Sequence, residues 1–510
     1  MPPSDTSDTR TVPPYEPRGL RAAHDDFARR FPGFDPDGTF DELRRAEYGR
    51  LDDQDQVYLD YTGGGLYADS QLTGHLDLLR TRVLGNPHSN NPTSLAMTEL
   101  VEGARRAVLE HFGADEHVCI FTPNASGALK LVGESYPFGP GGRYALTFDN
   151  HNSVNGIREF ARRAGAEVDY VPVTRDELRI DRAALDRTLA SADPTAANLF
   201  AFPAQSNYSG VQHPLGLIDE AHAAGWDVLL DAAAFAPSNR LDLSEVRADF
   251  VSLSFYKMFG YPTGLGCLLA RRDALARLRR PWFAGGTITI ASVQGASGDV
   301  PGHYLHEGEA GFEDGTVDYL NIPGVEIGLR HLDRLGIDRI HERVSCLTAW
   351  LLDALTGLRH ANGAPVVQVF GPGTMEARGG TITLLMRDPD GRPIDDRRVE
   401  ELANRVGISL RTGCFCNPGA GEVAHGLTVV EMRQWFGREQ AVSFLELRSE
   451  MLASMDLLVS AVRVSVGLAT NFTDVFRLMC FVQGFVDRTV DDIGRVEFVS
   501  DNCRIVRDSA

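Results

Sequence analysis

The sequence predicts an α/β protein: a large domain built on a mostly parallel sheet, followed by a smaller α+β domain. Three observations predict it. Short apolar runs alternate with helical patterns from about residue 118 to 270, and that alternation builds a mostly parallel sheet with buried strands. Near residue 330 the alternation gives way to a different order of helices and strands. The 510 residues, 43% of them hydrophobic, hold more core than one average domain uses.

Residues 1–20 are rich in Pro, Ser, Thr and Asp and read as a flexible tail. Residues 21–56 carry two helical patterns, RAAHDDFARRF and FDELRRAEYGRL, and form a lead-in expected to pack with the small domain. The large domain is placed at 57–330. It begins with VYLDYTGGGLY, a short strand breaking into a glycine turn, and a helix over 94–112 ending at Phe112-Gly113. VCIFT, RYALTF, EVDYVPV, NLFAFP, WDVLLDAA, FVSLSF and GLGCLLA are its strands; ASGALKLVGESY, NSVNGIREFARRAG and LGLIDEAHAAG are helices between them. The small α+β domain is placed at 331–510. It has helices at 338–358, 397–406 and 472–487 and strands at VVQVFG, GGTITLLM, GISLRTG and AVRVSVG.

A formal net charge of −20 and a pI near 5.1 argue against nucleic acid and anionic lipid as partners. No run is long and apolar enough to span a bilayer, and the start lacks a secretory pattern, so a cytoplasmic protein is expected. Seven scattered cysteines do not form a secreted disulfide framework. Of 50 basic residues only Lys130 and Lys257 are lysine. Arginine replaces lysine as a solvated charge but not as a neutral amine nucleophile.

Lys257, in SLSFYKMFGYPTGLG, falls just past the strand FVSLSF, at the strand end where open α/β sheets bind ligands. A desolvated lysine there suits a Schiff base. Lys130, on the helix after Ser126, reads as a solvated charge and ranks far below it. Asp231 ends the apolar strand WDVLLD, where a carboxylate is costly unless paired. With Lys257 downstream it suits the acid that keeps a pyridine nitrogen protonated in pyridoxal 5′-phosphate (PLP) enzymes; alone it reads as a cap. In FTPNASGALKLV a strand meets a helix near Ser126, and its free backbone N–H groups suit a phosphate; an ordinary N-cap reads equally well. His151 follows RYALTF and suits stacking on a planar cofactor, or capping. In LRTGCFCNPGAGE, Cys414 and Cys416 flank one phenylalanine. Spacing alone leaves a metal fragment and a mobile nucleophilic thiolate both open, although His425 completes no zinc pattern.

Together these segments resemble the cysteine desulfurase-like group of class V, fold-type I PLP enzymes. Within it they are most similar to the N-terminal desulfurase domain of molybdenum cofactor sulfurases. YLDYTGGGLY, GNPHSNNPTS, FPAQSNYSGVQHPL, LLDAAAF, SLSFYKMFGYPTGLG, FEDGTVDYLNIP and LRTGCFCNPGA carry the resemblance. It implies that Lys257 is the Schiff-base lysine, Asp231 the pyridine-nitrogen partner and His151 the residue stacked on the ring. It implies Ala125, Ser126 and Ser254 as phosphate ligands, and Asn207 as a partner of the ring oxygen or substrate. Thr287 resembles a phosphate contact lent by a second subunit, hence a homodimer. Arg463 resembles the clamp on a substrate carboxylate, and Cys416 the cysteine that becomes a persulfide. The implied substrate is L-cysteine or a related amino acid, with an unidentified sulfur acceptor. Tyr256 and Ala234 stand where iron–sulfur-type desulfurases have His and Gln, and Gly421 stands near where the sulfurases often carry another cysteine. The sequence ends at 510 without a long C-terminal domain, so the acceptor is open. Other class V reactions, C–S lysis, transamination or epimerisation, use the same site.

Overall fold

The computed structural model describes residues 19–296, 300–437, 443–455 and 458–494. The expected tail falls outside them except for its last two residues, and so does Cys503. Seven strands make the central sheet: β1 (His117–Thr122), β2 (Arg143–Thr147), β3 (Glu167–Val171), β4 (Asn198–Pro203), β5 (Asp227–Asp231), β6 (Phe250–Ser254) and β7 (Gly266–Arg271). Their order is β1-β7-β6-β5-β4-β2-β3. Only β7 runs against its neighbours; the other six are parallel.

Successive side chains on a strand point to opposite faces. Phe200, Phe202, Val228, Leu230, Val251 and Leu253 enter one apolar layer. Leu199, Ala201, Leu229, Phe250 and Leu268 enter the other. Both faces are covered, which is why these strands read as continuous apolar runs rather than alternating ones.

The small domain holds β8 (Val367–Phe370), β9 (Thr381–Met386), β10 (Arg411–Gly413) and β11 (Ala461–Ser465), antiparallel in the order β8-β9-β11-β10. Helices Ile337–Gly357 and Phe472–Gln483 cover it. Val57–Tyr58, read as the opening strand of the large domain, pairs instead with Ile408–Ser409. Val57 and Leu59 sit in the small-domain core.

The lead-in divides its packing. Helix Leu20–Arg30 lays Phe27 against Phe472, ring centroids 4.6 Å apart. Helix Thr39–Glu47, with the residues after it, sends Phe40, Tyr48 and Leu51 into the large-domain core instead. Each short helix has one apolar stripe, and the two stripes meet different domains. The expected helix over 152–165 splits at Gly156 into Asn152–Asn155 and Ile157–Arg163. A hairpin, Ile288–Ala291 with His303–Leu305, is an addition that the sequence pattern does not reveal.

Candidate active site

The carboxyl ends of β1, β2, β4, β5 and β6 converge on one cavity of about 380 Å³. This is the edge where a parallel sheet leaves backbone groups and loops free for ligands. Lys257 enters from the short helix Phe255–Phe259 after β6. Gly65 makes this possible: its N–H donates to Tyr256 O at 2.9 Å, and a Cβ there would stand 2.9 Å from Lys257 O. Burial pushes the Lys257 ammonium below the ordinary amine value; Asp231 opposes that, while Arg463 and Arg411 reinforce it. Among the described residues its amine makes no ion pair. A second cavity of about 40 Å³ shares Lys257, Gln205 and Ala234 with the first.

Asp231 closes β5 and is buried. Its Oδ1 accepts from Ser252 Oγ (3.0 Å) and Ala233 N (3.1 Å). Those bonds fix the carboxylate, and no bond to Oδ2 is found among the described residues. His151 caps the turn Asn152–Asn155: its Nδ1 accepts from Ser153 N at 3.1 Å, which assigns the neutral ring's proton to Nε2. Burial lowers the His151 pKa; Asp231 opposes that, and Lys257 and Arg463 add to it. His151 therefore both caps and lines the cavity.

Ala125 and Ser126 begin helix Ala125–Ser135, where the first backbone N–H groups have no partner within the helix. Asn124 caps it through Gly127 N (2.9 Å), and Ser126 Oγ lies 2.5 Å from Ser153 Oγ. Gly266 lets β7 approach this helix, because a Cβ there would lie 2.9 Å from Ala125 N. Ser254 is buried at the same cavity. Lys130 lies on the outside of that helix, paired with Glu134 at 3.5 Å.

Three further expected residues are held by hydrogen bonds within the chain. Asn207 lines the cavity, yet its amide is taken up by the cysteine loop: Nδ2 donates to Phe415 O and Oδ1 accepts from Asn417 Nδ2, both at 2.8 Å. Arg463, on β11, is 3% exposed, with Nη1 on Asn207 O (3.0 Å) and Nη2 on Asp60 Oδ1 (3.1 Å). Its Nε is buried without a partner. Thr287 lies outside this chain's cavity, and its hydroxyl bonds Ala284 N and Ala284 O.

The cysteine loop is exposed, as expected, at Cys416. Beside it Phe415 is buried, and Cys416 O accepts from Asn152 N at 2.7 Å. Burial raises the Cys414 thiol pKa. His425 is buried, 3.3 Å from Tyr208 OH.

Asp60 was missed by the sequence reading. It bridges Arg463 and Arg411, whose Nη2 lies 2.6 Å from Asp60 Oδ2. Asn417 was missed as well, although both residues lie within segments the motifs already singled out.

A mostly parallel sheet with a lysine and an acid at its carboxyl edge defines a fold-type I PLP enzyme. The chain belongs to the aminotransferase class-V family, whose model matches residues 57–478. It is 36% identical over 481 residues to a molybdenum cofactor sulfurase from Solanum lycopersicum, covering 87% of this chain and 57% of the relative. It is 35% identical to the human molybdenum cofactor sulfurase, covering 88% of this chain and 52% of the relative. The chain thus spans little more than half the length of these relatives. The fold matches a cysteine desulfurase from Thermococcus onnurineus NA1 at a TM-score of 0.72 and 22% identity, covering 88% of this chain and 98% of that one. It also matches a cystine C–S lyase at a TM-score of 0.62 and 18% identity, covering 84% and 98%.

The family indicates PLP as the cofactor, and the residues present fit it. A lysine with a depressed pKa, a fixed carboxylate with a free oxygen and a helix N-terminus face one cavity. Those are the donors that an aldehyde, a pyridine nitrogen and a phosphate need.

Proposed function

We propose that the chain is an L-cysteine desulfurase of the molybdenum cofactor sulfurase type. It would yield alanine and a Cys416 persulfide for transfer to an acceptor. The observation that carries the proposal is the pairing of Lys257 and Asp231 in one cavity with an exposed cysteine whose loop is bonded to that cavity's wall.

When bound, PLP supplies an electron sink for the substrate Cα–H bond. Lys257 would hold the cofactor and, once released, is the amine proposed to take the Cα proton; burial lowers its pKa, which favours the uncharged form that task needs. Asp231 keeps the pyridine nitrogen protonated. Ala125, Ser126 and Ser254 would hold the phosphate, and His151, with its proton on Nε2, would face the ring. Arg463 and Asn207 are proposed to receive the substrate, which requires Arg463 to exchange its bond to Asp60, and Asn207 a bond to the cysteine loop, for the substrate. Of the two loop cysteines Cys416 is the nucleophile: it is exposed, whereas burial holds Cys414 protonated.

The assembly proposed is a homodimer; Thr287, with no exposed surface and its hydroxyl bonded to Ala284, would have to be uncovered to complete the neighbour's phosphate site. Exposed Ile290, Val293 and Tyr304 around the hairpin support it, because soluble chains rarely leave such apolar surface open. A cytoplasmic location is proposed. Among the described residues no helix is long and apolar enough to cross a membrane.

The test is product analysis with L-cysteine, with Cys416→Ala alongside. Alanine and a persulfide lost in the variant support the desulfurase. Pyruvate and sulfide, insensitive to the variant, support a lyase, the second reading, which the fold shared with a cystine C–S lyase favours.

A further inference from the structure

We propose that Asn417 is a positioning residue that sets where the Cys416 thiol stands against the substrate, by fixing the turn that carries it. The inference rests on the desulfurase reading above.

Phe415 and Cys416 both have φ in the left-handed region, 55° and 54°. Two consecutive non-glycine residues there are unfavourable on their own and persist where the surroundings impose them. The turn closes through Asn417 N to Cys414 O at 3.1 Å. What imposes it is Asn417, which has no exposed surface. Its Nδ2 donates to Asp149 O (2.7 Å) and to Asn207 Oδ1 (2.8 Å), while its Oδ1 accepts from Ala420 N (3.2 Å) and caps helix Pro418–His425. One amide thus uses both donors and its acceptor, a combination neither a carboxylate nor a hydroxyl supplies.

The struts end on the cavity wall. Asp149 and Asn152 flank His151, and Asn152 N holds Cys416 O. Asn207 returns a bond to Phe415 O. The Phe415 ring is wedged between Tyr208, centroids 5.5 Å apart, and the Arg463 guanidinium at 4.8 Å. A Cβ on Gly419 would stand 2.0 Å from Phe148 O, so the capped helix lies directly on the segment leading to His151. The backbone on both sides of Cys416 is pinned, and its side chain remains free and exposed.

A pinned thiol suits the step proposed for it. The Cys416 thiolate, having lost its proton, bonds to the substrate sulfur. The substrate C–S bond breaks with its electron pair left on carbon, which takes up a proton and leaves as alanine. Such an attack depends on alignment, and a misplacement of about 1 Å costs about 10²-fold in rate.

The experiment uses the PLP-loaded full chain with Asn417→Ala and Asn417→Asp. The aspartate keeps the shape and the capping oxygen but loses both donors, so it serves if the alanine variant folds poorly. Three readouts are taken: hydrogen–deuterium exchange of the amides over 413–417, Cα deuterium exchange into L-alanine, and the rate of persulfide formation from L-cysteine. The expected result is faster amide exchange in that loop and persulfide formation down about 10²-fold, with Cα exchange and cofactor absorbance as in the wild type. Unchanged loop exchange, persulfide formation at the wild-type rate, or Cα exchange falling in step with it would each overturn the assignment. A wild-type protein that exchanges Cα but never forms a persulfide would defeat the desulfurase reading instead, and loop exchange would still decide the role of Asn417.

Discussion

Asp60→Ala is expected to destabilise the protein by about 3 kcal/mol. Asp60 holds two arginines that differ in exposure. Arg463 is 3% exposed, and losing Asp60 leaves it one carbonyl, Asn207 O, as a hydrogen-bond partner. Removing one member of a buried ion pair costs about 3–5 kcal/mol, because the other charge stays buried and unpaired. The Arg411 side chain is 51% exposed, so its pair with Asp60 is worth about 1 kcal/mol at most. Arg411→Ala should therefore cost under about 1 kcal/mol, while Asp60→Ala costs about 3, roughly a hundredfold in the folded-to-unfolded ratio. Adding Arg463→Met to Asp60→Ala should recover much of that loss, since the uncompensated charge goes with it. The assay is urea unfolding of the four proteins followed by tryptophan fluorescence. If Asp60→Ala shifts the midpoint no further than Arg411→Ala, or if Arg463→Met recovers nothing, the buried-charge reasoning is refuted.

Asp231→Asn should keep the fold and lower the rate of Cα deuterium exchange by about 10²-fold or more, the scale of losing one preorganised electrostatic contact; unchanged exchange would remove Asp231 from its role. Burial pushes the His425 imidazole down to about 4. The unfolded chain therefore takes its proton first on acidification, and stability falls between about pH 6.5 and 4, by up to about 3 kcal/mol. His425→Gln should flatten that acid limb in thermal melts across this range. Ile290→Asp with Tyr304→Asp should convert a dimer to a monomer in size-exclusion chromatography with light scattering, and an unaltered dimer would move the interface elsewhere.

The sheet and the residues gathered at its carboxyl edge were legible because their signals are local. A strand end followed by Lys257, an apolar strand closed by Asp231 and a strand–helix junction at Ser126 each lie within one short segment. What stayed hidden depends on partners far apart in sequence. Nothing near Arg463 announces Asp60, and nothing near Cys416 announces Asp149 or Asn207. The paired strands Ile288–Ala291 and His303–Leu305 escaped because, four and three residues long, they are too short for alternation to register. The lead-in was assigned to one domain because helical periodicity identifies an apolar stripe but not the surface it meets.

The central claim, that Lys257 anchors the cofactor, has a direct test in a chain with two lysines. The PLP-loaded protein is reduced with borohydride, digested and mapped by mass spectrometry. The account predicts the reduced cofactor on the Lys257 peptide and none on Lys130; cofactor on Lys130, or on neither, would contradict it.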